Sequence, residues 1–147
     1  MRIVVLHGPN LNALGTREPD VYGHTTLAEI DAMLAREATT LGVDLTCRQY
    51  QGEGEIITAL HRAPAEGAHG VLINPGAYTH YSYAIADALR CIPIPSVEIH
   101  LSNIHGREEF RSRSVTAPAC VGIVAGFGAQ SYPVALQALF TYLSRKR

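Results

Sequence analysis

GVLINPGAYTH, from Gly70 to His80, opens on a continuous apolar run, Val71-Leu72-Ile73, and breaks at Asn74-Pro75-Gly76. An apolar run this short, closed by a turn, is the pattern of a strand buried on both faces, as in a parallel sheet. Further strands are expected on either side of it, at Ile3–Leu6, Val43–Tyr50, Ser96–Ile99 and Val121–Ala125. Helical spacing fills the gaps. Leu27, Ile30, Leu34 and Leu41 recur at one face, with a capping box at Thr26 and Glu29 and a glycine stop at Gly42. A second helix starts at Glu53 and ends near Arg62, stopped by Pro64; a third covers Tyr81–Leu89; a last one, Tyr132–Leu143, carries Val134, Leu136, Leu139 and Phe140. Strand and helix alternate, so the expected fold is α/β and flavodoxin-like, a five-stranded parallel sheet with helices on both faces. No repeat or linker divides the chain, and one domain is expected over residues 1–147.

Composition narrows the function. The chain is 47% hydrophobic and 17% charged with a formal net charge of −1, which suits a globular protein rather than a disordered one. The one basic cluster is Arg145-Lys146-Arg147, so no nucleic-acid partner is expected. No membrane partner is expected either: Ala119–Ala129 is broken by glycine and too short to span, and Met1–His7 is too short for a signal peptide. Cys47, Cys91 and Cys120 are odd in number and lack metal or redox spacing, which points to reduced thiols and a cytoplasmic location. The histidines show no HxxxH or HxH spacing, so neither a metal nor a cofactor is expected. Lys146 is the only lysine, second from the end. Imine chemistry needs a buried lysine, which this chain lacks unless its tail folds inward. Anion recognition then falls to arginine.

In parallel α/β sheets, ligands gather at the carboxyl ends of the strands. Those ends lead into segments 8–23, 49–55, 74–80, 98–111 and 126–131. The first, GPNLNALGTREPDVYG (Gly8–Gly23), is far longer than an ordinary strand-to-helix joint and holds Arg17 and Tyr22. A free phenol is a poor base at neutral pH, but a neighbouring guanidinium favours its anion. The pair reads either as a base with its activator or as a surface arginine and a packed tyrosine. Glu98 and His100 lie two apart on a strand and share a face, as an acid/base pair or as a structural contact. Arg107 and Arg111 are four apart and would share a helix face, over a site or in solvent. Asn74 binds a ligand or closes an Asx turn. Gly126-Phe-Gly128-Ala-Gln-Ser131 is an incomplete dinucleotide fingerprint, and a tight strand–helix turn suffices to explain it.

Taken in order, GPNLNALGTREPDVYG, INPGAYTH, VEIHLSNIHGREEFR and GFGAQSY resemble the type II 3-dehydroquinate dehydratases over nearly the whole chain. The resemblance implies a lyase for the anti dehydration of 3-dehydroquinate to 3-dehydroshikimate through an enolate, without metal, imine or other cofactor. Such a reaction serves the shikimate pathway or quinate catabolism. It also implies the roles. Tyr22 would be the base and Arg17 its activator on a lid at about 8–24. Asn74 would bind substrate and hold the water that stabilises the enolate. His100, oriented by Glu98, would protonate the leaving hydroxyl. Leu101 and Ser102 would hold the carboxylate, and His80 and Arg111 the ring hydroxyls. Asp87 would reach a neighbouring subunit's site in a homododecamer built from trimers. The chain departs from the family's usual residues at Tyr50-Gln51-Gly52. That stretch motivates the alternatives: a non-catalytic binding protein, or a lyase for a related cyclic hydroxy-acid on the same scaffold.

Overall fold

The computed structural model describes residues 1–16 and 18–145. Its core is a five-stranded parallel sheet in the order β2-β1-β3-β4-β5, the doubly wound order expected from the sequence. The strands are β1 (Arg2–His7), β2 (Asp44–Gln49), β3 (Gly70–Asn74), β4 (Ser96–His100) and β5 (Gly122–Ala125). After β1 come a 3-10 turn at Leu11–Ala13 and the one-turn helix α1 (Pro19–Tyr22). The longer helices are α2 (Leu27–Leu41), α3 (Glu53–Ala65), α4 (Tyr83–Cys91) and α5 (Ser131–Ser144).

Alternation along the strands builds two apolar layers. Ile3, Val5, Leu72 and Ile99 face α2 and α5, where they meet Ile30, Leu34, Tyr132, Leu136 and Leu139. Val4, Leu6, Val71 and Ile73 face the other way and pack on Ile56 and Leu60 of α3 and Ile85 and Leu89 of α4. Both faces of β1 and β3 are therefore covered, which is why those strands read as unbroken apolar runs. Each fully buried Leu or Ile contributes roughly 1.5–3 kcal/mol through removal of apolar surface from water.

Several boundaries differ from the sequence expectation. The third helix begins at Tyr83 because the Ser82 hydroxyl accepts the Ile85 N–H and caps it there. Pro64 does not stop α3 at Arg62: the helix continues to Ala65. At the last turn proline removes only one helical bond, and the amides of Glu66, Gly67 and Ala68 close back onto Arg62, Pro64 and Ala63. Residues 104–111 form no α-helix but two 3-10 turns, Ile104–Gly106 and Glu109–Arg111, with Arg107 extended between them.

The strand register aligns the carboxyl ends. His7 lies beside both Gln49 and Asn74, and His100 beside Ala125. The loop after β1 is pressed onto the turn after β3: Gly8 N–H bonds to the Asn74 carbonyl at 2.8 Å, and a Cβ at Gly8 would sit 2.6 Å from the Pro75 carbonyl carbon. Only glycine permits that approach.

Candidate active site

A small pocket opens at this rim, where the strand ends meet. The β1 loop supplies Pro9, Asn10, Leu11 and Tyr22; the β3 turn supplies Asn74, Ala77 and His80; β4 and the segment after it supply His100, Leu101, Ser102, Ile104, Arg107 and Arg111. Tyr22, Asn74, His80, His100, Leu101, Ser102 and Arg111, all singled out from the sequence, thus converge. Arg17 lies outside the described residues. Asp87 is not brought to this pocket: it is an exposed residue of α4, 3.4 Å from Arg90.

His100 Nε2 is 2.6 Å from Glu98 Oε1. A carboxylate only accepts, so Nε2 carries a proton and Nδ1 is the nitrogen left for chemistry. Glu98 is completely buried. The hydroxyls of Thr79, Ser114 and Thr116 also donate to its carboxylate. Burial alone would raise the Glu98 pKa, but the bonds from His100, Thr116 and Thr79 outweigh it and hold the carboxyl below its ordinary range. The cradle is therefore an anion fixed under His100.

In the same pocket, the Arg107 guanidinium donates to the Tyr22 hydroxyl at 2.8 Å, and its carbon lies 5.3 Å from the ring centroid. The sequence set Arg107 on a charged helix face; with no helix there, the extended backbone lets it reach across to the loop. Arg111 lines the pocket and bonds Glu108 at 3.2 Å. His80 donates Nδ1–H to the Arg113 carbonyl at 2.8 Å. Burial, with help from the nearby His100, Arg111 and Arg107, holds His80 below its usual pKa despite that bond, so it is neutral at pH 7.

Asn74 closes the Asx turn that was one of the two readings made of it, and it also lines the pocket. Its Oδ1 accepts the Gly76 N–H at 3.1 Å, an Asx turn, while Nδ2 donates to the Tyr132 hydroxyl at 3.0 Å inside the pocket wall. Tyr132, fully buried on α5, and His7 behind it were not legible as site residues, because nothing in their local sequence marks them.

Gln51, in the stretch that departs from the family's usual residues, sits outside the pocket and clasps the loop. Its Oε1 accepts the Asn10 N–H at 2.8 Å, its Nε2 donates to Asn12 Oδ1 at 2.7 Å, and its carbonyl accepts from Tyr78. The Gly126–Ser131 turn has its amides engaged within the fold: Gly126 and Gly128 donate to the carbonyls of His100 and Leu101, and Phe127 to the Ser131 hydroxyl. That use leaves it a strand–helix turn rather than a phosphate cradle.

Among the described residues, one group has ligand types for a metal: His7, Asp31 and Cys47, with ligand atoms within 4.8 Å of one another. Both His7 nitrogens already have partners, Tyr132 and Asp31. Burial, then the Asp31 charge, pushes the Cys47 thiol far up, so it stays protonated.

The family model for dehydroquinase class II matches residues 1–140. The chain is 56% identical over 138 residues to a 3-dehydroquinate dehydratase of Pelotomaculum thermopropionicum, covering 94% of this chain and 95% of that protein. It is 54% identical to the protein of that name from Thermus thermophilus, over 91% of this chain and 90% of that one. Among solved structures, it resembles the type II dehydroquinase of Butyrivibrio crossotus with a TM-score of 0.93 and 44% identity, covering 95% of this chain and 97% of that chain.

Proposed function

Since the chain belongs to the class II dehydroquinase family, we propose a division of labour among the residues of its pocket. The enzyme is a lyase that dehydrates 3-dehydroquinate to 3-dehydroshikimate, a step of the shikimate pathway. The hydroxyl lost is β to the ketone, so a base can first take the proton beside the carbonyl and leave an enolate. An acid then protonates the departing hydroxyl, the enolate electrons form the new double bond, and water leaves.

The observation that carries the assignment is the Arg107–Tyr22 contact lining the same pocket as His100, which is held by its buried carboxylate. Tyr22 is the base. Arg107 puts a permanent cation on its oxygen and so favours the charge that appears there when the phenol gives up its proton. Arg17 is the second activator, carried from the family resemblance. Asn74 bonds the enolate side of the substrate, directly or through a water, where a neutral donor stabilises developing charge. His100 donates from Nδ1, and Glu98 fixes that orientation and supports the imidazolium form. Leu101 and Ser102 bind the carboxylate, and His80 and Arg111 the ring hydroxyls. Closure of the loop from Gly8 to Gly23 excludes water and brings the base to the substrate.

Asp87 then serves a neighbouring pocket in an assembly of trimers grouped as a dodecamer. Its exposure on α4, away from its own chain's pocket, supports that placement. The cytoplasm is the proposed compartment, in keeping with three free cysteines. Among the described residues, no helix is long and apolar enough to cross a membrane. The binding-protein reading is not favoured, because Tyr50-Gln51-Gly52, which motivated it, does not line the pocket.

The test is Tyr22→Phe. We expect kcat, followed by the ultraviolet absorbance of the conjugated enone product, to fall roughly 10²–10⁴-fold, the usual share of a general base, with an unchanged circular dichroism spectrum. Turnover at the wild-type rate would remove Tyr22 from the role of base.

A further inference from the structure

Behind the pocket, a row of buried polar groups runs from Asn74 to the protein surface. Asn74 Nδ2 lies 3.0 Å from the Tyr132 hydroxyl, that hydroxyl 3.2 Å from His7 Nδ1, and His7 Nε2 2.8 Å from Asp31 Oδ1. Tyr132 is fully buried and His7 nearly so, while the Asp31 side chain is 38% exposed at the outer end. The row crosses β3, α5, β1 and α2. None of these three supporting residues lines the pocket.

We propose that Tyr132, His7 and Asp31 are positioning residues that fix which edge of the Asn74 amide faces the substrate. The inference rests on the reading of Asn74 given above.

The argument is one of donor and acceptor direction. The oxygen and nitrogen of an asparagine amide are nearly equal in size, so shape alone does not choose between the two flips. A tyrosine hydroxyl does not choose either, since it can donate or accept. The choice comes from two places, the Gly76 N–H, which can only donate and so holds Oδ1, and the far end of the row. The Asp31 carboxylate only accepts, so His7 gives it the Nε2 proton. In the neutral ring Nδ1 is then bare and must accept, so it takes the Tyr132 proton. The Tyr132 oxygen has thereby used its only hydrogen and accepts from Asn74. The amide nitrogen therefore points at Tyr132, and Oδ1 turns to the Gly76 N–H, a donor that cannot serve in reverse. Every contact in the row agrees with this one direction. With one N–H on Tyr132, the second N–H of Asn74 is the group free to meet an oxygen that gains negative charge. A flipped amide would present its carbonyl to that charge and repel it. Burial makes the setting firm, because unpaired polar groups are costly where water cannot enter.

The test is Asp31→Asn, chosen because its side chain reaches solvent. The amide replaces a pure acceptor by a group that can also donate, so it no longer dictates the proton on His7. Asn74 is assigned to the enolate rather than to ground-state binding, so kcat should fall about tenfold, the equivalent of one displaced hydrogen bond, with KM within about twofold. In an Asn74→Ala background the same change should have no further effect on kcat. Nitrogen-labelled histidine in the wild-type chain should show His7 neutral, with its proton on Nε2. A normal kcat in Asp31→Asn beside an impaired Asn74→Ala would overturn the inference and leave the role of Asn74 standing. An unimpaired Asn74→Ala would remove Asn74 from the reaction, and the inference with it. A His7 ring protonated on Nδ1 would overturn the direction of the row whatever the kinetics.

Discussion

Glu98 joins chemistry to stability at a single residue. Its carboxylate collects His100 and three hydroxyls with no exposure to water. Its folded pKa lies below the ordinary value of 4.5, so its contribution to stability is fully present above about that pH and is lost as pH falls through the lower, folded value. Glu98→Gln puts an NH₂ group against donors, and we expect it to cost about 1–3 kcal/mol at pH 7. Urea denaturation at pH 7 and in acid measures both effects: the two proteins should differ most at pH 7 and converge below the folded pKa. A constant difference across that range would show that the charge on Glu98 is not the cause. The sequence marks Glu98 and His100 because two reactive groups on one strand face are visible in a line of letters. It does not mark Thr79, Ser114 or Thr116, which are ordinary hydroxyls until folding gathers them on a carboxylate. Tyr22 was singled out through the family resemblance rather than by its chemistry alone, and its guanidinium partner in the described structure, Arg107, lies 85 residues away and is found only in three dimensions.

At the scale of elements, local chemistry was the surest guide. The capping box foreseen at α2 is present: Thr26 Oγ1 accepts the Glu29 N–H at 3.2 Å, and the Glu29 carboxylate accepts the Thr26 N–H at 2.8 Å. Thr26→Ala should lower stability by about 1 kcal/mol, read as a fall in Tm, because one helix-end donor loses its partner. An unchanged Tm would mean that water replaces the cap at no cost. Where the signal was spacing rather than chemistry, the reading failed. Arg107 and Arg111 suggested a helix face, but Gly106 and the Asn103 side chain, which caps the turn at the His105 N–H, keep the segment in short turns. The same irregular backbone frees Arg107 to reach the loop. Regular periodicity could not announce a segment whose use depends on being irregular.

For the whole molecule, the strand order followed from β-α alternation, and the pocket followed from the rule that parallel sheets bind at their carboxyl ends. What a single chain's sequence does not display is where copies meet. β5 is an edge strand: Val121 and Ile123 are 46% and 41% exposed, beside a groove that includes Val97, Val124, Ala138 and Tyr142. An apolar edge left bare invites pairing with another chain, so we expect it to be covered in the assembly proposed above. Ile123→Lys should yield smaller species in sedimentation velocity while the monomer fold persists; an unchanged distribution would place the subunit contacts elsewhere. The bond between His7 and Tyr132 has a consequence in time. Those residues stand 125 positions apart. A polypeptide emerging from the ribosome makes Asn74, His100 and Arg107 before α5, and the backing of Asn74 arrives only with that helix. The growing chain is thus kept from a finished pocket until α5 has been made.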